Sequence, residues 1–255
     1  MDGSHARPVS VVAGGTGGIG RAVAEFLDGQ GHRVVVCGRS REKLQRLGIE
    51  QNWETRLVDA ASPGSIQNAL IEISERCGPI SGIVNCIGSI LLKPAHRTSR
   101  AEFEEVLRIN LHSAFELVQA AGTCLREQGG SVVLMSTAAA RIGIPNHEAI
   151  AAAKAGVEGL ARSAAATYAG QGIRFNVVAP GLVRTELSRG LWESEAAAQM
   201  SQDMHPLGRL GEPEDVASLI AWLLDPGHTW ITGQVIGIDG GLASLTQRQR
   251  RSATK

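Results

Sequence analysis

Residues 9–20 read VSVVAGGTGGIG, and this stretch decides the fold. Its first part, Val9 to Ala13, is a short β-branched run of the kind that forms a buried strand. The glycines that follow let the backbone approach a bound group closely, and the helix predicted over 21–28 begins directly after them. A helix N-terminus offers free N–H groups and a positive dipole end to a phosphate. This order of strand, glycine loop and helix predicts a pyrophosphate-binding loop at the start of a βαβ unit.

The remainder of the chain repeats the alternation of short apolar runs and longer helical patterns. The predicted strands occupy residues 9–13, 33–37, 55–58, 82–85, 131–136, 173–178 and 234–238. The predicted helices occupy residues 21–28, 41–47, 65–77, 102–127 with a bend, 148–169 and 214–224, and residues 182–204 are predicted to be irregular. Strands joined through helices run parallel with right-handed crossovers. The prediction is an α/β fold: a single doubly wound Rossmann-type domain over 1–246, with a seven-stranded parallel sheet, helices on both faces, and a disordered basic tail at 247–255.

Composition excludes several functional classes. The chain has 255 residues, is 43% hydrophobic, and carries 25 basic and 25 acidic side chains. This charge balance does not favour a nucleic-acid partner, and the lack of an apolar run of about 18 residues argues against a membrane span. The four cysteines form no C-x-x-C pair, so we expect reduced thiols, no metal site and a cytoplasmic location. The expected partner is a small-molecule substrate.

The end of the second predicted strand bears on the choice between NAD and NADP. Folds that bind NAD carry an acid there, about 20 residues after the glycine loop, for the ribose hydroxyls. This chain instead has Gly38 followed by Arg39. No carboxylate repels a 2′-phosphate, and Arg39 can pair with that phosphate bidentately, with Arg41 nearby. These residues predict NADP(H); the alternative is that Arg39 only faces solvent at a helix start.

Motifs further along the chain extend this pattern. Residues 13–20 fit T-G-x-x-x-G-I-G with Ala13 in place of Thr, and residues 85–88 (NCIG) fit N-N-A-G in altered form. Further matches are Asp59, Asn110 in the long helix, PGLVRT at 180–185, TGQ at 232–234 and DGG at 239–241. In these motifs, over about residues 8–242, the chain resembles the classical short-chain dehydrogenase/reductase family, and most closely its 3-oxoacyl-[acyl-carrier-protein] reductase type.

The resemblance implies a set of cofactor contacts. Asp59 would hold the adenine, residues 180–185 would hold the nicotinamide carboxamide, and Asn110 would have a structural and catalytic role. The expected cofactor-binding residues are Gly14, Thr16, Gly17, Gly18, Ile19, Gly20, Arg39, Asp59, Asn85, Gly88, Lys154, Pro180, Gly181, Val183 and Thr185. It also implies a homotetramer or homodimer, in which the helices at 102–127 and 148–169 pair across a two-fold axis.

The same resemblance identifies a departure at the catalytic residues. The family uses Ser…Tyr-x-x-x-Lys: the Tyr exchanges a proton with the substrate oxygen, the Lys lowers the pKa of that Tyr, and the Ser hydrogen-bonds the carbonyl. Lys154 matches the Lys, and Thr137, with Ser136 beside it, stands at the Ser position. Ile150 occupies the Tyr position and cannot exchange a proton. The one tyrosine, Tyr168, lies 14 residues beyond Lys154, about 21 Å along the predicted helix, and is out of reach.

Three replacements for the tyrosine remain open. His147 lies on the same helical face as Lys154, and an imidazole suits general acid–base catalysis near neutral pH. Alternatively, His147 is a solvated first-turn residue after an Asn146 N-cap, because helical side chains lean toward the N-terminus and so away from Lys154. Glu148, and a water held by Lys154 and Thr137, are the other candidates.

The sequence therefore predicts an NADP(H)-dependent oxidoreductase that interconverts a carbonyl and an alcohol on a small or acyl-type substrate. Its predicted catalytic residues are Asn110, Thr137, Lys154 and His147. Residues 186–204 are predicted to form a lid whose apolar side chains face the substrate or pack on their own domain. Because Ile150 replaces the usual acid, two alternatives stay open. One is a catalytically weak NADP(H)-binding member that acts as a sensor or partner subunit, and the other is a lyase or epimerase on the same fold.

Overall fold

The computed structural model describes residues 7–246, and its centre is one parallel sheet. The strands are β1 Val9–Ala13, β2 Arg33–Gly38, β3 Glu54–Leu57, β4 Ile80–Asn85, β5 Gly130–Met135, β6 Ile173–Pro180 and β7 Val235–Ile238. The helices are α1 Gly18–Gly29, α2 Arg41–Gln51, α3 Ser65–Cys77, α4 Arg100–Leu107, α5 Ser113–Cys124, α6 Glu148–Tyr168, α7 Glu195–Asp203 and α8 Pro213–Leu224. The strand order is β3-β2-β1-β4-β5-β6-β7 with parallel pairing throughout, so the predicted seven-stranded fold is confirmed. The tail predicted at 247–255 lies outside the described residues.

Both faces of the sheet are covered because its strands send apolar side chains into two cores. In β1, Val9 and Val11 belong to the core formed with α3, α5 and α6, whereas Val12 belongs to the core formed with α1, α2 and α8. All five residues of β1 are buried, as expected for a central strand of a parallel sheet. The strand order reverses between β1 and β4, and ligands of such folds bind at the carboxyl ends of the strands beside this reversal.

Two segments differ from the sequence prediction. The bent helix predicted over 102–127 is divided into α4 and α5 by the π-helical turn Arg108–His112. The segment 182–204, predicted to be irregular, contains the 3-10 turn Arg189–Leu191 and helix α7. Ser194 caps α7 by accepting a hydrogen bond from the Ala197 amide at 3.2 Å, so the irregular prediction is wrong for residues 195–203. Along residues 7–246, every helix is too short or too polar to traverse a lipid bilayer.

Candidate active site

The glycine loop between β1 and α1 is packed so closely that side chains are excluded. Gly14 has φ +79°, and a Cβ there would lie 2.6 Å from the carbonyl carbon of Cys86, directly after β4. A Cβ on Gly20 would lie 2.4 Å from the carbonyl oxygen of Gly14, far inside van der Waals contact. These two glycines let α1 begin immediately beneath the loop, at the edge of the sheet where β1 and β4 end.

The N-terminus of α1 is suited to an anion. Gly17 is its N-cap residue and supplies no capping side chain, so the first amides of the helix keep their hydrogen-bonding capacity. Gly17 and Gly18 are exposed, while Thr16 and Ile19 are half-buried. A Cβ on Gly18 would lie 2.9 Å from the Cγ2 atom of Thr185, so the segment after β6 borders the N-terminus of α1. The glycine loop and the free amides of α1, called the phosphate cradle below, therefore fit the pyrophosphate of a dinucleotide.

The end of β2 lies on the other side of the loop. A Cβ on Gly38 would come within 2.8 Å of the Thr16 side chain, and Arg39 follows with an exposed side chain. Asp59, after β3, is exposed and organises its own turn, because its Oδ1 accepts from the Ala61 amide at 2.9 Å and its Oδ2 accepts from the Ser62 hydroxyl at 3.3 Å.

Asn110 is buried in the π-helical turn and holds the loop that follows β4. Its Nδ2 donates to Ser89 Oγ at 2.9 Å and to the Val106 carbonyl at 3.0 Å, and its Oδ1 accepts from the Ser89 amide at 3.2 Å. A Cβ on Gly88 would lie 3.2 Å from Asn110 Oδ1 and 3.7 Å from Lys154 Nζ. Gly88, Asn110 and Lys154, which are distant in sequence, therefore converge. π-Helical turns of this kind are frequent at functional sites.

Lys154 is an ionisable group buried at this point. Its Nζ donates to the Met135 carbonyl at 3.0 Å, and its side chain is 7% exposed. Desolvation lowers the pKa of this amine to about 8, with a smaller opposing effect from Cys86. Burial also raises the pKa of the Cys86 thiol to about 12, so Cys86 stays neutral beside it. Lys154 can therefore release or bind a proton close to neutral pH.

Ile150 occupies the space one helical turn before Lys154. It is 6% exposed and forms a small apolar cluster with Val106, Ala149 and Ala153, against which Leu91 and Leu107 pack. Thr137 is half-buried, and its Oγ1 accepts from the Ala139 amide at 3.3 Å, which leaves its O–H able to donate. The neighbouring Ser136 instead donates to Glu158 Oε1 at 2.8 Å and packs against α6.

His147 lies at the start of α6, but the predicted cap is wrong. Asn146 has φ +65°, a left-handed conformation outside the helix, and His147 itself is the N-cap residue. The Nδ1 atom of His147 lies 2.8 Å from the Pro145 carbonyl, which can only accept, so Nδ1 carries the proton. This bond fixes the tautomer and leaves Nε2 for exchange with another molecule.

Several residues of the site were not found by sequence reasoning. Ser89 is the partner of Asn110, and the Met135 carbonyl is the partner of Lys154. Neither has a sequence signal, because the first depends on the fold of a loop and the second is a backbone atom. His205, buried beneath the segment after β6, was also missed.

Comparison with known proteins agrees with this architecture. A family model described as Enoyl-(Acyl carrier protein) reductase matches residues 13–243. A tropinone reductase homolog of Arabidopsis thaliana is 35% identical over 247 residues, covering 93% of each chain. A 3-oxoacyl-[acyl-carrier-protein] reductase of Vibrio cholerae is 30% identical over 237 residues, covering 92% of this chain and 96% of its own. The solved structure described as ElxO with NADP bound superposes with a TM-score of 0.88 at 26% identity, covering 94% of this chain and all (100%) of that one.

Fold and site together define a dinucleotide-binding α/β protein of the oxidoreductase type. The matches over nearly the whole chain are more specific, and the chain belongs to the short-chain dehydrogenase/reductase family.

Proposed function

We propose that this protein is an NADP(H)-dependent oxidoreductase that interconverts a carbonyl and an alcohol on a small or acyl-type substrate. The convergence of Gly88, Asn110 and buried Lys154 beside the glycine loop carries the proposal. Membership of an oxidoreductase family supports it, as does the neighbour solved with NADP bound.

The cofactor assignment follows the contacts of the glycine loop. The proposed binding residues are Gly14, Thr16, Gly17, Gly18, Ile19, Gly20, Arg39, Asp59, Asn85, Gly88, Lys154, Pro180, Gly181, Val183 and Thr185. Exposed Arg39, rather than an acid, stands at the end of β2 and favours a 2′-phosphate. When bound, NADPH supplies the hydride for the carbonyl carbon.

The chain's own residues would then orient the substrate and manage its proton. Thr137 donates its free O–H to the substrate oxygen, and Asn110 fixes the loop at Gly88. Lys154, whose pKa is lowered to about 8, holds the ribose and supports the proton relay. We assign the donor role to His147 in its imidazolium form: Nδ1 stays bonded to the Pro145 carbonyl, while Nε2 takes a proton from solvent and passes it to the substrate oxygen. A water between Lys154 and Thr137 is the competing donor.

One observation favours a second function. Ile150 packs in an apolar cluster at the position where the family has its tyrosine, so the site lacks its usual acid. A protein that binds NADP(H) as a sensor or partner subunit needs the phosphate cradle but not the proton-donating tyrosine. In that case NADPH binds tightly and no carbonyl compound is turned over.

The further proposals concern assembly and location. The exposed Phe115 on α5 supports pairing of α5 and α6 across a two-fold axis, as a homotetramer or homodimer, and sedimentation at micromolar concentration checks this.

The cysteines at 37, 77, 86 and 124 are all free, which supports a cytoplasmic location, and a cell-fractionation assay checks it.

A calorimetric titration with NADPH and NADH tests the cofactor assignment. NADPH should bind more tightly, and Arg39→Ala should remove about 1.5–3 kcal/mol from NADPH binding while leaving NADH unchanged. Arg46→Ala is the matched control, because Arg46 is an exposed arginine of the neighbouring helix α2 that faces Glu50 at 3.9 Å. Equal affinity of the wild type for both cofactors would refute the NADP(H) assignment.

A further inference from the structure

His205 joins two parts of the site that are separate along the chain. It follows helix α7 and is only 4% exposed. Its Nδ1 lies 2.7 Å from the carbonyl oxygen of Ser201, in α7, and its Nε2 lies 3.1 Å from the amide nitrogen of Leu182, in the segment after β6. The imidazole of His205 therefore connects helix α7, which lies in the predicted lid 186–204, to the segment proposed to hold the nicotinamide.

The partners of His205 determine its protonation state. The Ser201 carbonyl can only accept, so Nδ1 must carry a hydrogen, and the Leu182 amide can only donate, so Nε2 must carry none. Both bonds exist together only when the imidazole is neutral. A proton on Nε2 would remove the acceptor and place two N–H groups against each other.

The packing leaves the ring little freedom. A Cβ on Gly181 would lie 2.6 Å from Nε2, so the backbone beside Leu182 lies directly against the imidazole. His205, Gly181 and Leu182 together line a cavity of about 100 Å³.

The charged groups around His205 are already engaged. Arg209 pairs with Asp215 of α8 at 2.6 and 2.8 Å, and both line the cavity. Asp239, after β7, also lines it and accepts from the Gly241 and Ala243 amides at 2.9 and 2.8 Å. On α7, Asp203 is exposed and accepts from Gln199 at 2.8 Å. The bonds of His205 to Ser201 and Leu182 are therefore the contacts that a proton would disturb.

We propose that His205 is a positioning residue. Its bonds to Ser201 and Leu182, called the latch below, hold helix α7 to Leu182 and so fix segment 181–185 for the nicotinamide. The cofactor part of this inference rests on the proposed function, whereas the latch itself does not. The latch belongs to the neutral imidazole, because a second proton on the ring would remove the acceptor at Nε2.

Hydrogen exchange of the Leu182 amide tests the latch without any cofactor. After correction for intrinsic rates, the wild-type amide should be protected. His205→Gln keeps an acceptor for the amide, so protection should persist. His205→Leu offers no acceptor and should abolish it. The Val177 amide, bonded to the Gln234 carbonyl at 2.8 Å within the sheet, reports global unfolding and should not change.

NADPH titration of the same proteins tests the positioning role. His205→Leu should weaken NADPH binding about 3–10-fold, the range for one net hydrogen bond, and His205→Gln should restore the affinity. Protection that is absent from the wild type, or retained in His205→Leu, overturns the latch. A latch that behaves as expected with NADPH affinity equal in all three proteins overturns the positioning role. If none of the three binds NADPH, the proposed function fails, whereas Leu182 exchange still decides on the latch.

Discussion

Replacing Ile150 with Tyr should raise the turnover of a generic carbonyl probe, because the surrounding groups that support a tyrosine are in place. Desolvation lowers the pKa of Lys154 to about 8, so at pH 7 the amine still carries the positive charge that favours a phenolate. Thr137 keeps an O–H for the substrate oxygen. A positioned acid contributes about 10²–10⁴-fold, or about 3–5 kcal/mol of barrier. The ring must fit beside Val106 and Ala153, and overpacking there should cost about 1–3 kcal/mol of stability.

The matched control is Ile150→Phe, which adds the same ring without the hydroxyl. Oxidation of NADPH in the presence of the probe measures turnover, and thermal unfolding measures the shared packing cost. Both variants should lose a similar amount of stability. The tyrosine variant should gain activity, and the phenylalanine variant should gain no activity. An equal gain in both variants would show that shape rather than proton transfer limits the wild type. No gain in either would count against the reductase proposal.

Two further predictions follow from the site. His147→Gln should abolish activity on the true substrate, measured as NADPH oxidation; retained activity would exclude His147 as the acid. Gly20→Ala should abolish NADPH binding in a calorimetric titration, because its Cβ would lie 2.4 Å from the Gly14 carbonyl, whereas Gly29→Ala, with no atom within 4 Å, should bind normally; unchanged binding by Gly20→Ala would contradict the close-packed loop.

What the sequence predicted well depends on local spacing. The strand, glycine loop and helix at 9–29 follow from neighbouring residues. The assignment of Thr137, Ile150 and Lys154 to catalytic positions rests on a short motif and stays a prediction. The inner strands could be predicted for the same reason, because strands such as β1, β2 and β5 contain continuous buried apolar runs. The edge strands β3 (ETRL) and β7 (VIGI) are only partly buried, so their signal is weaker.

What the sequence did not predict depends on long-range contacts or on weak local patterns. The Ser89–Asn110 pair requires the π-helical turn to face the loop after β4, and the hydrogen bond that the Leu182 amide donates to His205 spans 23 residues. Helix α7 was missed because its apolar residues, three consecutive alanines and Met200, form no stripe of helical period. The Ser194 cap and the helix-forming alanines were the remaining signals. The Asn146 cap failed because a left-handed residue there shifts the helix start by one position.

Lys154 is buried, and its positive charge there lowers the stability of the folded protein. A charge that lowers stability is expected of a lysine kept for function and not of one kept for structure. Desolvation lowers its pKa from 10.5 to about 8 in the folded protein. Below pH 8 the amine is protonated in both states, and the folded state bears the full cost of about 3 kcal/mol; between pH 8 and 10.5 the unfolded chain binds more protons, so stability rises with pH.

Lys154→Met removes the charge but leaves the Met135 carbonyl without its donor, at a cost of about 1–3 kcal/mol. The variant should therefore be as stable as the wild type at pH 7, or about 1–2 kcal/mol more stable, and should lose that advantage as the pH approaches 10.5. Urea unfolding at pH 7 and 9.5 measures the difference, and NADPH titration should show weaker binding by the variant. A variant that is equally destabilised at both pH values would mean that the amine stabilises the fold. A variant with the expected pH dependence and weaker NADPH binding would mean that the fold does not need the charge of Lys154. That is the property expected of a residue kept to bind the cofactor and transfer a proton rather than to pack the core.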